Sequence, residues 1–268
     1  MSRIKNKFRD LRSKKEKALI AYIMVGYPNN NATIPIIRGL VKGGVDIIEL
    51  GFPFSDPLAD GPVIQNASMI SLKKGTKLNN FFKLVKKIRN ETNIPLVLMT
   101  YTNILYKQGF SKFIAKAKKA GVDGFILPDM SIEESKDYLS AAKKNNADTI
   151  FLVSPNTSNI RLKKIAKVTT GFLYLVSIYG TTGMKTKIQQ YTINAIKNTK
   201  KIVNAKVPVG VGFGISTPDD VKKFVAAGAD AIIVGSSFLR LIQKTQMSQL
   251  ESKVASFTKR MKSSTKAT

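Results

Sequence analysis

Eight short apolar runs, separated by longer segments of helical period, constrain this chain more than any other feature. They span residues 19–25 (LIAYIMV), 45–51 (VDIIELG), 95–101 (PLVLMTY), 123–129 (DGFILPD), 149–154 (TIFLVS), 172–177 (FLYLVS), 207–213 (VPVGVGF) and 230–236 (DAIIVGS). Each is apolar almost throughout, as a strand covered on both faces is. The intervening stretches, such as 110–121 and 217–229, place apolar residues three and four apart. Gly121 and Gly228 stand where a left-handed residue would end a helix. Eight strands alternating with helices predict an α/β fold of the (β/α)8 TIM-barrel type. An open doubly wound sheet is the rival, but it usually has fewer strands. No linker-like stretch interrupts the pattern, so residues 1–262 are predicted to form a single domain. Ile4, Phe8 and Leu11, at helical spacing in a basic N-terminus, predict a capping helix; a transit peptide is the alternative. Residues 263–268 (SSTKAT) read as a basic, disordered tail.

Composition narrows the chemistry. The 268 residues include no Cys and no His, so a Cys/His metal site, a thiol nucleophile and a His-based triad are excluded. Acid–base work falls to Asp, Glu, Lys or Tyr. Net charge is +27, which admits an anionic partner such as nucleic acid. However, the lysine pairs at 86–87, 118–119, 163–164, 200–201 and 222–223 are scattered, with few aromatic residues among them. A solvated surface fits this better than a specific nucleic-acid site. No apolar run reaches membrane-spanning length and no secretory signal is evident, so the expectation is a cytoplasmic protein without membrane association.

In a barrel, functional groups gather at the C-terminal ends of strands and in the loops that follow. The second run ends Ile47-Ile48-Glu49-Leu50-Gly51. If Ile48 and Leu50 face the helices, Glu49 faces the barrel mouth, where lost hydration would raise its pKa. Position alone leaves a second reading open, a structural Glu paired with a buried Lys or Arg. The next loop, residues 52–62 (FPFSDPLADGP), offers two further carboxylates, Asp56 and Asp60. Asp60 could instead serve beside a helix start, with Gly61 as cap and Pro62 in the first helical position. Three small-residue loops could expose N–H groups to a phosphate: Gly180-Thr181-Thr182-Gly183, Gly212-Phe213-Gly214-Ile215-Ser216 and Gly235-Ser236-Ser237. Ordinary turns are the alternative. Neither the dinucleotide nor the P-loop spacing is present.

The run ELGFPFSDPLADGPVIQNA at 49–67 resembles the signature of tryptophan synthase alpha chains. The resemblance continues through Tyr101-Thr102-Asn103, Gly121-Val122-Asp123-Gly124, Ser154-Pro155-Asn156-Thr157, Tyr174, Gly180-Thr181-Thr182-Gly183, Gly212-Phe213-Gly214-Ile215-Ser216 and Gly235-Ser236, over about residues 15–245. It implies retro-aldol cleavage of indole-3-glycerol phosphate to indole and glyceraldehyde 3-phosphate. Glu49 would be the general acid/base and Asp60 the second carboxylate. Tyr174 would contact Asp60 and the indole, with Tyr22, Tyr101, Ile126 and Leu152 lining the indole pocket. Gly183, Gly212, Gly214, Gly235 and Ser236 would hold the phosphate. Thr182 would lie on a loop that closes over the substrate. The resemblance also implies no metal and no cofactor in this chain. Its partner would be a pyridoxal-phosphate beta chain, in an alpha2beta2 heterotetramer. Ile178 departs from the Arg of some members, and the basic extension after Gln243 is unusual. A related barrel, indole-glycerol phosphate synthase, would place a catalytic Lys at a strand end, and none stands there. A barrel that only binds a partner would not need both Glu49 and Asp60.

Overall fold

The computed structural model describes residues 1–176, 185–204, 206–212 and 214–266, with the backbone alone for 185–189. The apolar runs become β1 (Ala18–Met24), β2 (Ile47–Gly51), β3 (Leu96–Met99), β4 (Gly124–Ile126), β5 (Asp148–Ile150), β6 (Leu152–Val153), β7 (Leu173–Val176), β8 (Val209–Gly212) and β9 (Ala231–Val234). All neighbouring pairs are parallel, in the order β5-β4-β3-β2-β1-β9-β8-β7-β6. The outermost members of that order are separated in the chain by Phe151 alone. They are two halves of one strand, so the sheet closes on itself with eight strand positions. The run expected as one strand at 149–154 divides because residues 148–150 pair with β4 and 152–153 with β7. The ladder crosses the break: Tyr174 N–H donates to the Phe151 carbonyl at 3.0 Å.

The barrel sorts its apolar side chains into two layers. Ile20, Ile47, Val97, Ile126, Ile150, Phe172 and Ile233 fill the interior, while Ile48, Leu50, Leu96, Leu98 and Phe125 pack outward against the helices. The alternation along β2 therefore turns Ile47 and Glu49 inward, as read from sequence. The described residues form twelve α-helices, numbered α1 to α12 in chain order, of which α1 (Arg3–Ser13) closes the bottom. Ser2 caps it by accepting from Lys5 N–H, and its buried Ile4, Phe8 and Leu11 join the interior layer.

An internal repeat at the bottom escaped the sequence reading. At 43–46, 120–123, 145–148 and 227–230, a residue in the left-handed region (Gly44, Gly121, Asn146, Gly228) is followed by Val or Ala and then Asp. Each Asp reaches across to a neighbouring strand or its approach. Asp46 accepts Leu19 N–H at 2.8 Å, Asp123 accepts Leu96 N–H at 2.9 Å and Asp230 accepts Val209 N–H at 2.9 Å; Asp148 accepts the Thr170 hydroxyl at 3.1 Å. Several of the scattered cations are spent here: Lys262 on Asp46, Arg3 and Arg89 on Asp123, Lys17 and Lys200 on Asp230.

The C-terminus also differs from expectation. Helix α12, the last helix (Leu250–Ser263), packs on α2 (Thr33–Lys42). Gly39 and Gly43 leave room for it, since a Cβ on either would lie within 2.6 Å of an α12 atom. Ser264 and Thr265 are buried, and the Thr265 carbonyl accepts Lys17 N–H at 3.1 Å. The packed chain thus runs past the boundary that composition suggested at 263, because these hydroxyl residues find backbone partners. Among the described residues no helix is long and apolar enough to cross a membrane.

Candidate active site

Glu49 sits near the C-terminal end of β2, beside Tyr22 of β1 in the strand register. It is 1% exposed, and neither carboxyl oxygen has a hydrogen-bond partner among the described residues. Among the described residues no Lys or Arg pairs with it, so the structural-ion-pair reading has no support there. Burial, and secondarily the charge of Asp60, raise its pKa from 4.5 to about 8.

Asp60 arrives from the loop between β2 and α3 (Pro62–Lys73). The helix begins as the sequence suggested, with Gly61 as cap and Pro62 in the first turn, so Asp60 is free of capping duty. Ser68 clamps the loop by donating to the Phe54 carbonyl and accepting Phe54 N–H, both at 2.9 Å. The Phe54 ring stacks on Tyr101 at 4.9 Å. The Tyr101 hydroxyl accepts Ala59 N–H at 3.0 Å and donates to Asp60 Oδ2 at 3.2 Å. Asp60 Oδ1 is buried without a partner among the described residues. Burial raises Asp60 from 3.8 to about 6, against the lowering effect of the Tyr101 bond. Asp56, the other candidate, is exposed and borders a different recess from the one that holds Glu49 and Asp60. Tyr22 and Tyr101 are pushed upward, chiefly by burial, so both remain protonated donors at neutral pH.

One cavity of about 440 Å³ at the barrel mouth unites Glu49 and Asp60 with Tyr22, Tyr174, Gly214, Gly235 and Ser236. Tyr101 joins through its bond to Asp60. Gly212 has a different local part: a Cβ there would lie 2.4 Å from the Tyr174 hydroxyl, so its missing side chain is the space the phenol occupies. Ile126 is wholly buried in the interior layer, and Leu152 faces a separate recess of about 240 Å³. The structure brings neither to the cavity. Thr182 and Gly183 lie outside the described residues. The lining also includes residues the sequence reading did not name, among them Ile64, Met99, Ile215, Ser216, Ile233 and Arg240. Met99 and Ile233 could have been found by extending the inward alternation to the ends of their strands.

The cavity wall combines two kinds of group. It carries two carboxylates, one held mostly neutral and one mostly ionised near pH 7. It also carries the start of α11 (Ser236–Gln243), whose cap residue Gly235 supplies no side chain. Uncapped N–H groups there suit an anion. The start of α10 (Pro218–Ala226) is already closed, because Asp220 accepts Ser216 N–H and Thr217 N–H at 3.0 Å each. Such a cavity can give a proton from a carboxyl group while holding an anionic group at a helix start. Among the described residues no group of three His, Cys, Asp or Glu could hold a metal ion.

The family model described as tryptophan synthase alpha chain matches residues 8–267. The tryptophan synthase alpha chain of Methanosarcina acetivorans is 45% identical over 242 residues, covering 90% of this chain and 87% of its own length. That of Geotalea uraniireducens is 40% identical over 267 residues, covering 100% and 99%. Among solved structures, tryptophan synthase subunit alpha from Legionella pneumophila superposes with a TM-score of 0.90 at 31% identity, covering 98% of both chains. A chain of the tryptophan synthase complex from Pyrococcus furiosus gives 0.82 at 35% identity, covering 93% of this chain and 98% of its own.

Proposed function

Because the chain belongs to the tryptophan synthase alpha chain family, we propose that Glu49 and Asp60 are the two carboxylates that carry out its reaction. The chain is a carbon–carbon lyase that cleaves indole-3-glycerol phosphate to indole and glyceraldehyde 3-phosphate. The bond between indole C3 and the glycerol chain breaks only after C3 is protonated, since an indole carbanion is a poor leaving group. Glu49, neutral near pH 7 because its pKa lies at about 8, gives that proton to C3. The ring nitrogen of the resulting indolenine is positive, and the Asp60 carboxylate, positioned by Tyr101, stabilises it. As the bond breaks, its electron pair returns to the ring and restores the indole. Glu49, now ionised, takes the proton of the glycerol hydroxyl that becomes the aldehyde. Two carboxyls with separated pKa values divide acid and counter-ion duties in this way. Tyr22, Met99, Ile64 and Tyr174 wall the indole, while Gly214, Gly235 and Ser236 receive the phosphate. The reading gives this chain no cofactor of its own.

The observation that carries this reading is Glu49 itself, wholly buried, with both oxygens unpartnered, on the same cavity as Asp60. We further infer a beta chain as partner, carrying the pyridoxal phosphate, in an alpha2beta2 assembly. Leu58, 83% exposed, and Met69 flank a recess of about 600 Å³ beside the mouth, and apolar surface of this kind supports docking there. A phosphate ester does not cross membranes unaided, so the reaction belongs where its substrate is made, in the cytoplasm. The test is indole release from indole-3-glycerol phosphate by the wild type and Asp60→Asn, with and without a beta chain. Turnover by the wild type that Asp60→Asn lowers at least about 10²-fold is expected; undiminished turnover in the variant would overturn the assignment.

A further inference from the structure

We propose that Arg240 supplies the counter-charge for the substrate's phosphate and thereby sets the affinity of the cavity for phosphate esters. The inference deepens the reaction proposed above and rests on it. Ionised Asp60 and a phosphate dianion occupy one cavity in that reaction, and the N–H groups of α11 offer only partial positive charge to offset them. Arg240 is the one cationic side chain on the cavity wall among the described residues. It lies one helical turn after Ser236, on the same face of α11. Side chains in a helix lean back over the turn that precedes them, so the guanidinium leans toward the uncapped N–H groups at Ser236. Its charge is unspent. Arg3, Arg38, Arg89 and Arg161 each pair with a carboxylate, whereas Arg240 pairs with none among the described residues. The same cavity holds the buried, unpartnered Glu49 carboxyl, which marks it independently as a ligand site. The neighbouring α10 start cannot compete for the phosphate, because Asp220 fills it with negative charge.

Arg240→Gln and Arg240→Lys test this. Arg240 is exposed, so neither variant disturbs the core. Arg240→Gln should raise KM for indole-3-glycerol phosphate by about 10- to 100-fold, the effect of losing one charge-assisted bond, with little change in kcat. The increase in melting temperature produced by inorganic phosphate should shrink in parallel, while affinity for indole stays at the wild-type level. Arg240→Lys should recover part of the phosphate effect, since it keeps the charge and loses the fork. A wild-type KM and a wild-type response to phosphate in Arg240→Gln would overturn the proposal, as would an equal loss for indole and phosphate. The phosphate response needs no turnover. If the wild type fails to cleave indole-3-glycerol phosphate yet Arg240→Gln still loses the phosphate response, the reaction falls and the anion site stands.

Discussion

Replacing Glu49 by Gln should stabilise the protein by an amount that grows with pH. In the folded state the carboxyl holds its proton up to about 8, against 4.5 for an unhindered group. A raised folded value means the unfolded chain releases the proton first. The stabilisation from holding it is complete below 4.5 and is lost progressively as pH climbs through 8. The full difference corresponds to roughly 5 kcal/mol. Gln has similar size and no titration, so the variant escapes that loss. Between pH 5 and pH 7 the variant should gain about 2 to 3 kcal/mol over the wild type. For a chain of this size that is roughly 5 to 10 °C in melting temperature. Asp60 also titrates over this range, but in both proteins, so it largely cancels. Thermal unfolding followed by far-UV circular dichroism at the two pH values reads the effect. Parallel stability profiles for wild type and variant would refute the buried neutral Glu49. Activity gives a second reading: indole release should fall at least about 10²-fold. The chain has no Trp, so indole fluorescence excited beyond the tyrosine absorption band is measured without background from this chain.

The dependence of kcat/KM on pH should be bell-shaped, rising through about 6 as Asp60 ionises and falling through about 8 as Glu49 loses its proton. Tyr101→Phe removes the bond that lowers Asp60, so its acid limb should move to higher pH; an unmoved limb would detach Asp60 from the profile. Gly212→Ala places a Cβ 2.4 Å from the Tyr174 hydroxyl. The displaced phenol should raise KM several-fold and cost about 1 to 3 kcal/mol in urea unfolding, whereas wild-type values would show the ring has room to move.

What the sequence made legible follows from the range of the interactions involved. The strand runs and the inward turn of Glu49 depend on apolar spacing and a two-residue period, both local, and they emerge as read. The choice between Asp56 and Asp60 is not local. It depends on the Tyr101 phenol, 41 residues away from Asp60 in the chain, and on a loop held by Ser68. Ile126 and Leu152 were assigned to the indole pocket by resemblance alone, and their depth in the barrel is set by the shear of the whole sheet, which no single segment encodes. Arg240 was overlooked because one cation among 44 Lys and Arg residues stands out only when the cavity wall is known. The bottom aspartates, each two residues after Gly or Asn, escaped the reading because their purpose shows only beside the neighbouring strands.

Those aspartates bear on the order in which the chain can close. Their reaches span 27, 27, 22 and 21 residues, so each encloses a short loop whose entropic cost is small. Leu19 and Asp46 can meet once the first two strands exist, without reference to the rest of the chain. The same holds for Leu96 with Asp123 and for Val209 with Asp230. The junction of β1 with β9, the pairing of Lys17 with Asp230, the packing of α12 on α2 and the bond from Lys262 to Asp46, 216 residues apart, wait for nearly the whole polypeptide. The bottom of the barrel is therefore assembled from neighbours in sequence, leaving one long-range seam at which first and last strands join.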